Sequence, residues 1–198
     1  MKTKLLLAML ALLSASSFAS ITTDIKPMHG YIDNPASRAY LCSMLENKNC
    51  GPIQYEPQSV EGRKGFPQRG PADGKIASAG VGMFKQLDEQ SVTRWTKVNM
   101  RSGENVFHWT LTVPQSTTGW EYFITKQDWN PNAPLSRTAF ELKPFCSRFD
   151  GGAVPAREVT MKCNVPYRTG YQVILGVWTI ADTSNAFYQV IDANINVR

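Results

Sequence analysis

From residue 106 to 113 apolar and polar side chains alternate, with Phe107, Trp109, Leu111 and Val113 on one face and Val106, His108, Thr110 and Thr112 on the other. A period of two predicts a half-buried β-strand. Similar segments at 121–126, 158–163, 170–180 and 187–197 are separated by Pro, Gly, Asn and Asp turn signals. Residues 42–82, rich in Gly, Pro, Gln, Asn and charge, show little periodicity and read as a long loop with short helical turns. Helical periodicity is scarce and no internal repeat is evident, which argues against α/β and solenoid folds. The expected fold is all-β, an antiparallel β-sandwich with a large loop insertion between a strand near Gly30 and the first alternating strand.

The chain has 198 residues, 42% of them hydrophobic, enough for one well-cored domain. Residues 1–19 are read as a signal peptide: Lys2 and Lys4, the apolar run from Leu5 to Leu13, then small residues. Export to the extracellular medium follows. Lys2 and Lys4 are two of the 21 basic residues, so the remaining 19 face 16 acidic ones, a mild excess. With no basic stripe, nucleic acid is not an expected partner. The apolar run is too short to span a bilayer, so no membrane association is expected either. Four cysteines in an exported chain suggest two disulfides, and their grouping favours Cys42 with Cys50 and Cys146 with Cys163 over the two other pairings. Metal binding by the thiols is the rival reading, disfavoured by the lack of a C-x-x-C pair.

Familiar catalytic patterns are missing. There are two histidines, His29 and His108, and no G-x-S-x-G, H-E-x-x-H or phosphate-binding glycine loop. The stretch His29-Gly-Tyr-Ile-Asp-Asn-Pro-Ala-Ser-Arg38, however, resembles the mature start of the bacterial chitin-binding proteins called lytic polysaccharide monooxygenases, auxiliary activity family 10. Tyr55-Glu-Pro-Gln-Ser-Val-Glu61, Gly65-Phe-Pro-Gln68, Gly70-Pro-Ala-Asp-Gly74, Tyr122-Phe-Ile-Thr-Lys126, Pro144-Phe-Cys146 and Ala181-Asp-Thr-Ser-Asn-Ala-Phe-Tyr188 are similar to later family landmarks in the same order. The resemblance runs from His29 nearly to the end and implies a chitin-binding type-4 domain over 29–198. It also implies a fibronectin III or immunoglobulin-like sandwich, and it supports both disulfides.

The resemblance further implies a copper ion held by the N-terminal amine and imidazole of the first residue and by a second histidine, since imidazole suits both copper oxidation states. At the second position this chain has Gln115, in Val113-Pro-Gln-Ser-Thr-Thr-Gly-Trp120, and Val113 replaces a small alanine. An amide oxygen is a hard, weakly basic donor. His108 lies seven residues back on the same strand, roughly 23 Å away, and cannot substitute. Small residues at Ser17 and Ala19 favour cleavage before Ser20, leaving 20–28 as an N-terminal extension that turns the His29 amine into a peptide nitrogen.

The remaining family positions are present. Phe187 matches the axial aromatic, with a core role as its plain alternative. Tyr55, Glu56, Gln58, Ser59 and Glu61, joined by Thr112, Asp182 and Asn185, match the flat surface that meets crystalline chitin. An aromatic ring can lie on a sugar while amides, carboxylates and hydroxyls bond its polar groups. The expectation is a monomeric, secreted protein binding chitin or another N-acetylglucosamine polymer, with impaired copper chemistry. The alternative is a copper-dependent monooxygenase that cleaves chitin oxidatively; copper is a cofactor only on that reading.

Overall fold

The computed structural model describes residues 29–196, in which two β-sheets pack face to face. The smaller has the order β1 (His29–Asn34), β4 (Gly103–Val113), β7 (Glu158–Val165). The larger has the order β2 (Glu61–Arg63), β9 (Asn185–Asn196), β8 (Gly170–Ile180), β5 (Thr117–Ile124), β6 (Cys146–Phe149). A short strand, β3 (Val98–Arg101), runs parallel to β9; all other pairings are antiparallel. The all-β sandwich read from the alternation is therefore correct. Residues 1–19, read above as a signal peptide, and the segment 20–28 lie outside the described residues.

Between the sheets the inward faces meet in an aromatic core. Trp120 and Trp178 stack with ring centres 5.1 Å apart, and Trp109 packs edge-on against both. Tyr122 belongs to the same cluster, and its hydroxyl accepts from Trp109 Nε1 at 2.9 Å. Without that bond the buried indole N–H would carry a desolvation cost. The alternation on β4 predicts this packing: Phe107, Trp109 and Leu111 are fully buried, while Thr112 is exposed and His108 and Thr110 are half-buried.

The segment 42–82 carries the short helical turns expected of it, and it packs as a layer over the other face of the larger sheet. A six-residue helix, α1 (Arg38–Ser43), precedes it, capped by the Ser37 hydroxyl accepting from Tyr40 N. Short 3-10 turns follow at Gly51–Tyr55 and Pro57–Ser59, and β2 then pairs with β9. Ile53, Phe66 and Ile76, with Phe84, Leu87 and Trp95 further on, bury against Phe123, Leu175, Tyr188 and Val190 of the sheet. These apolar residues are too widely spaced to set a period. Their effect is visible instead on β8 and β9, which are buried on both faces and so read as nearly continuous apolar runs.

Arg38 ties this layer down. Its Nε and Nη2 donate to the Asp192 carboxylate at 2.9 and 2.7 Å, its Nη1 donates to Leu87 O at 2.7 Å, and its guanidinium lies 4.4 Å from the Trp95 ring centre. Asp192 also accepts from the Tyr171 hydroxyl at 2.7 Å. Both disulfides form in the favoured pairing, with Cα separations of 6.0 Å for Cys42–Cys50 and 5.7 Å for Cys146–Cys163. The second joins β6 of one sheet to β7 of the other.

Candidate functional site

The site is built where β1 begins. His29 pairs with Val113 at the end of β4, and Thr112 Oγ1 donates to the His29 carbonyl at 3.1 Å. Beneath this strand end, Gly30 lies so close to Leu111 and Trp178 that a Cβ would come within 2.6 and 2.9 Å of their side chains. Only glycine lets β1 lie flat on the tryptophan there, and that height sets where His29 emerges. Phe187 stacks on the same Trp178, ring centres 4.8 Å apart, and is fully buried in the inter-sheet core.

The 3-10 turn at Pro57–Ser59 brings the next group. Gln189 on β9 accepts from Ser37 Oγ at 2.7 Å and donates to Pro57 O at 3.0 Å, a buried relay that fixes this turn to the sheet. Ser59 Oγ then sits 3.2 Å from His29 Nδ1. Burial lowers the His29 imidazole below its ordinary range, with a hydrogen bond at the Gln58 backbone and the charges of Glu61 and Glu56 opposing that shift. Glu61 Oε1 accepts from Asn185 Nδ2 at 2.9 Å, so β2 and β9 hold these two polar groups side by side. Tyr55 projects into solvent, 82% exposed.

Asp182 follows Ile180 in the β8–β9 connection and is exposed. Lys64 anchors this connection: its Nζ donates to the carbonyls of Ile180 and Thr183 at 2.9 and 2.5 Å, and its backbone N donates to Ser184 O at 3.0 Å. Ala181 N donates to Ser116 O at 2.8 Å, which seats the loop beside the β4–β5 connection. That connection carries Gln115, whose carbonyl accepts from Thr117 Oγ1 at 2.8 Å. His29, Ser59 and Thr112 are thus joined by direct hydrogen bonds. Glu56, Gln58 and Glu61 act on the His29 imidazole, Asn185 is bonded to Glu61, and Gln115 lies two residues beyond the strand partner of His29.

Some of the placement came from residues that sequence reasoning passed over. Gly30, Ser37, Lys64 and Gln189 carry no chemistry of their own; they position the groups that do. Lys64 looked like one scattered charge among glycines and prolines, and nothing in its spacing signals a clamp on a loop more than 100 residues away.

The other imidazole is remote. His108 stands opposite Asn34, at the far end of β1 from His29. Its ring nitrogens face Asp33 Oδ1 at 2.5 Å and Glu158 Oε2 at 2.9 Å, an arrangement that joins all three strands of the smaller sheet. Among the described residues, no three His, Cys, Asp or Glu side chains gather in a metal-holding group. The start of β1 thus offers one imidazole, with the Ser59 and Thr112 hydroxyls bonded to His29 and Gln115 two residues beyond its strand partner.

Comparison with known proteins places this arrangement in a family. The model of the family described as "Lytic polysaccharide mono-oxygenase, cellulose-degrading" matches residues 29–193. GlcNAc-binding protein A of Shewanella oneidensis is 52% identical over 196 residues, covering 98% of this chain and 40% of that protein. The chain thus spans about two fifths of the length of this curated relative. A solved AA10 lytic polysaccharide monooxygenase from Photorhabdus luminescens superposes with a TM-score of 0.84 at 52% identity, covering 86% of this chain and 100% of that one. A CBM33 protein of Bacillus amyloliquefaciens in complex with Cu(I) superposes with a TM-score of 0.80 at 46% identity, covering 85% and 100%. The chain belongs to the lytic polysaccharide mono-oxygenase family.

Proposed function

We propose that the protein is a secreted, monomeric chitin-binding protein that holds N-acetylglucosamine polymers on the surface formed by Tyr55, Glu56, Gln58, Ser59, Glu61, Thr112, Asp182 and Asn185, and that its copper chemistry is impaired. What supports the binding half is the exposed Tyr55 ring together with the polar groups of Glu61, Asn185, Ser59 and Thr112, held by hydrogen bonds around the start of β1. The name of the Shewanella relative supports the same ligand class. A rigid, hydrated polymer surface suits such a site, because preset donors and acceptors lose little freedom on binding.

The donor set supports the second half. Imidazole is a good ligand for copper, whereas the amide of Gln115 is not. The residues present do not supply the two imidazoles that the family resemblance implies, and His108 is held at the wrong end of β1. Cleavage after Ala19 would add to this, since residues 20–28 ahead of His29 replace its amine with a peptide nitrogen. In this reading His29 acts as a neutral hydrogen-bonding group of the binding surface, with Ser59 orienting its ring.

Incubation with β-chitin, Cu(II) and ascorbate tests both halves. The expected result is protein in the chitin pellet with no oxidised chitooligosaccharides in the supernatant by mass spectrometry. An oxidised ladder that depends on copper and reductant, and that His29→Ala abolishes, would instead establish the monooxygenase.

A further inference from the structure

Beside the proposed surface, the larger sheet carries a recess of about 280 Å³ lined by Lys64, Thr118, Glu121, Phe149 and Thr179, among others. Its most unusual member is Phe149, an aromatic ring 73% exposed on the edge strand β6. Phe149 stands opposite Gly119 in the β5–β6 ladder, and a Cβ on Gly119 would come within 3.1 Å of its ring. Covering a glycine accounts for the contact on one side of the ring. It does not account for the side left open to solvent.

Glu121 is the second observation. It lies on the same face of β5 as Gly119, two residues on, with Ser147 opposite. Burial pushes its carboxyl above the ordinary range, and no neighbouring cation or donor opposes that shift. Lys64, which lines the same recess, has its ammonium on the Ile180 and Thr183 carbonyls. A partly desolvated carboxylate accepts hydrogen bonds and has none to give, so a ligand that satisfies it must bring O–H or N–H donors.

We propose that this recess is a second saccharide contact, which takes one pyranose unit of an N-acetylglucosamine chain with its C–H face on Phe149 and its hydroxyl or acetamido donors on Glu121. The proposal rests on the polymer-binding reading above and extends it. A neutral sugar with one apolar face and a rim of donors matches both observations. The volume is at the small end for a small-molecule site, which favours a single ring over a protein segment. The recess is also tied to a loop of the first surface: Thr179 precedes Asp182 by three residues, and Lys64 belongs to the clamp that holds the Asp182 loop.

The test is an NMR titration of the full chain with tri-N-acetylchitotriose. Saturable shifts are expected at the amides of Thr118, Gly119 and Thr179, with affinity about fivefold weaker in Phe149→Ala. Glu121→Gln should weaken it by at least about threefold. Phe149 is exposed, so its truncation leaves the core intact. Unmoved recess amides, or affinities unaltered by both substitutions, would overturn the proposal even if β-chitin still retains the protein. Shifts that follow protein concentration without sugar would make the recess a contact between copies, and would equally overturn it. Shifts at the recess with no retention on β-chitin would refute the polymer-binding reading instead.

Discussion

In a chain beginning at His29, Gln115→His raises Cu(II) affinity by at least about 100-fold over the unaltered chain of the same length. The expectation follows from donor chemistry: the substitution exchanges an amide for an imidazole, and even residues that only support a metal ligand change affinity 10- to 100-fold. Position matters as much as chemistry. His29 pairs with Val113, and Gln115 lies two residues further along a connection fixed by the Thr117 bond to its carbonyl and by the Ala181 bond to Ser116. The new imidazole therefore enters a segment whose course is already set. Isothermal titration with Cu(II) measures the change. A gain of less than about tenfold would contradict the assignment of Gln115 as the missing donor and would point to Val113, bulkier than alanine, as an obstruction. The same titration on a chain that retains residues 20–28 should show little gain from Gln115→His, because the terminal amine is then absent.

Arg38→Met lowers folding stability by about 3–5 kcal/mol, the usual cost of leaving one member of a buried ion pair alone. Arg38 is 1% exposed and Asp192 0%. Loss of the guanidinium leaves the Asp192 carboxylate with the Tyr171 hydroxyl as its remaining side-chain hydrogen-bond donor among the described residues, and also frees the Leu87 carbonyl and Gln90 Oε1. Because Arg38 joins α1, the segment after the Gly82–Asp88 turn, and β9, the covering layer should loosen as a unit. Urea denaturation reads the loss. Arg38→Met combined with Asp192→Leu should cost clearly less than the sum of the two single changes, since the pair is then removed together. Additivity within about 0.5 kcal/mol would show that the two residues do not act as a pair.

The sandwich was legible because its strands carry the period of two that a sheet with one buried face imposes. On β4 Phe107, Trp109 and Leu111 enter the aromatic core, as their alternation from 106 to 113 assigns them, while Val113 at the strand end is half-buried. The strands β2, β3 and β6 escaped notice because runs of three or four residues leave no period to count. The covering layer escaped for a related reason. Ile53, Phe66 and Ile76 are ten or more residues apart, and only the tertiary fold reveals that they share one core. The helix α1 is six residues long, too short for a 3.6-residue repeat to stand out.

The candidate surface was legible by resemblance rather than by pattern. Glu61, Thr112 and Asn185 are far apart in sequence, and no spacing rule predicts that β1, β2, the end of β4 and the start of β9 converge. The supports were illegible altogether. Gly30 is dictated by Trp178 and Leu111, and Gln189 by Ser37 and Pro57, partners that only the folded chain identifies. Phe187 takes the core position that was its plain alternative. It is a core side chain stacked on Trp178, and it also lies directly across the ladder from Glu61 of the proposed surface.

Depletion of the protein from solution by β-chitin in the presence of EDTA tests the central claim most directly. The account predicts that the unaltered chain binds as well with EDTA as with Cu(II), and that Tyr55→Ala, which removes an exposed ring and no core contact, weakens retention about fivefold. No depletion, or depletion that EDTA abolishes, would contradict it.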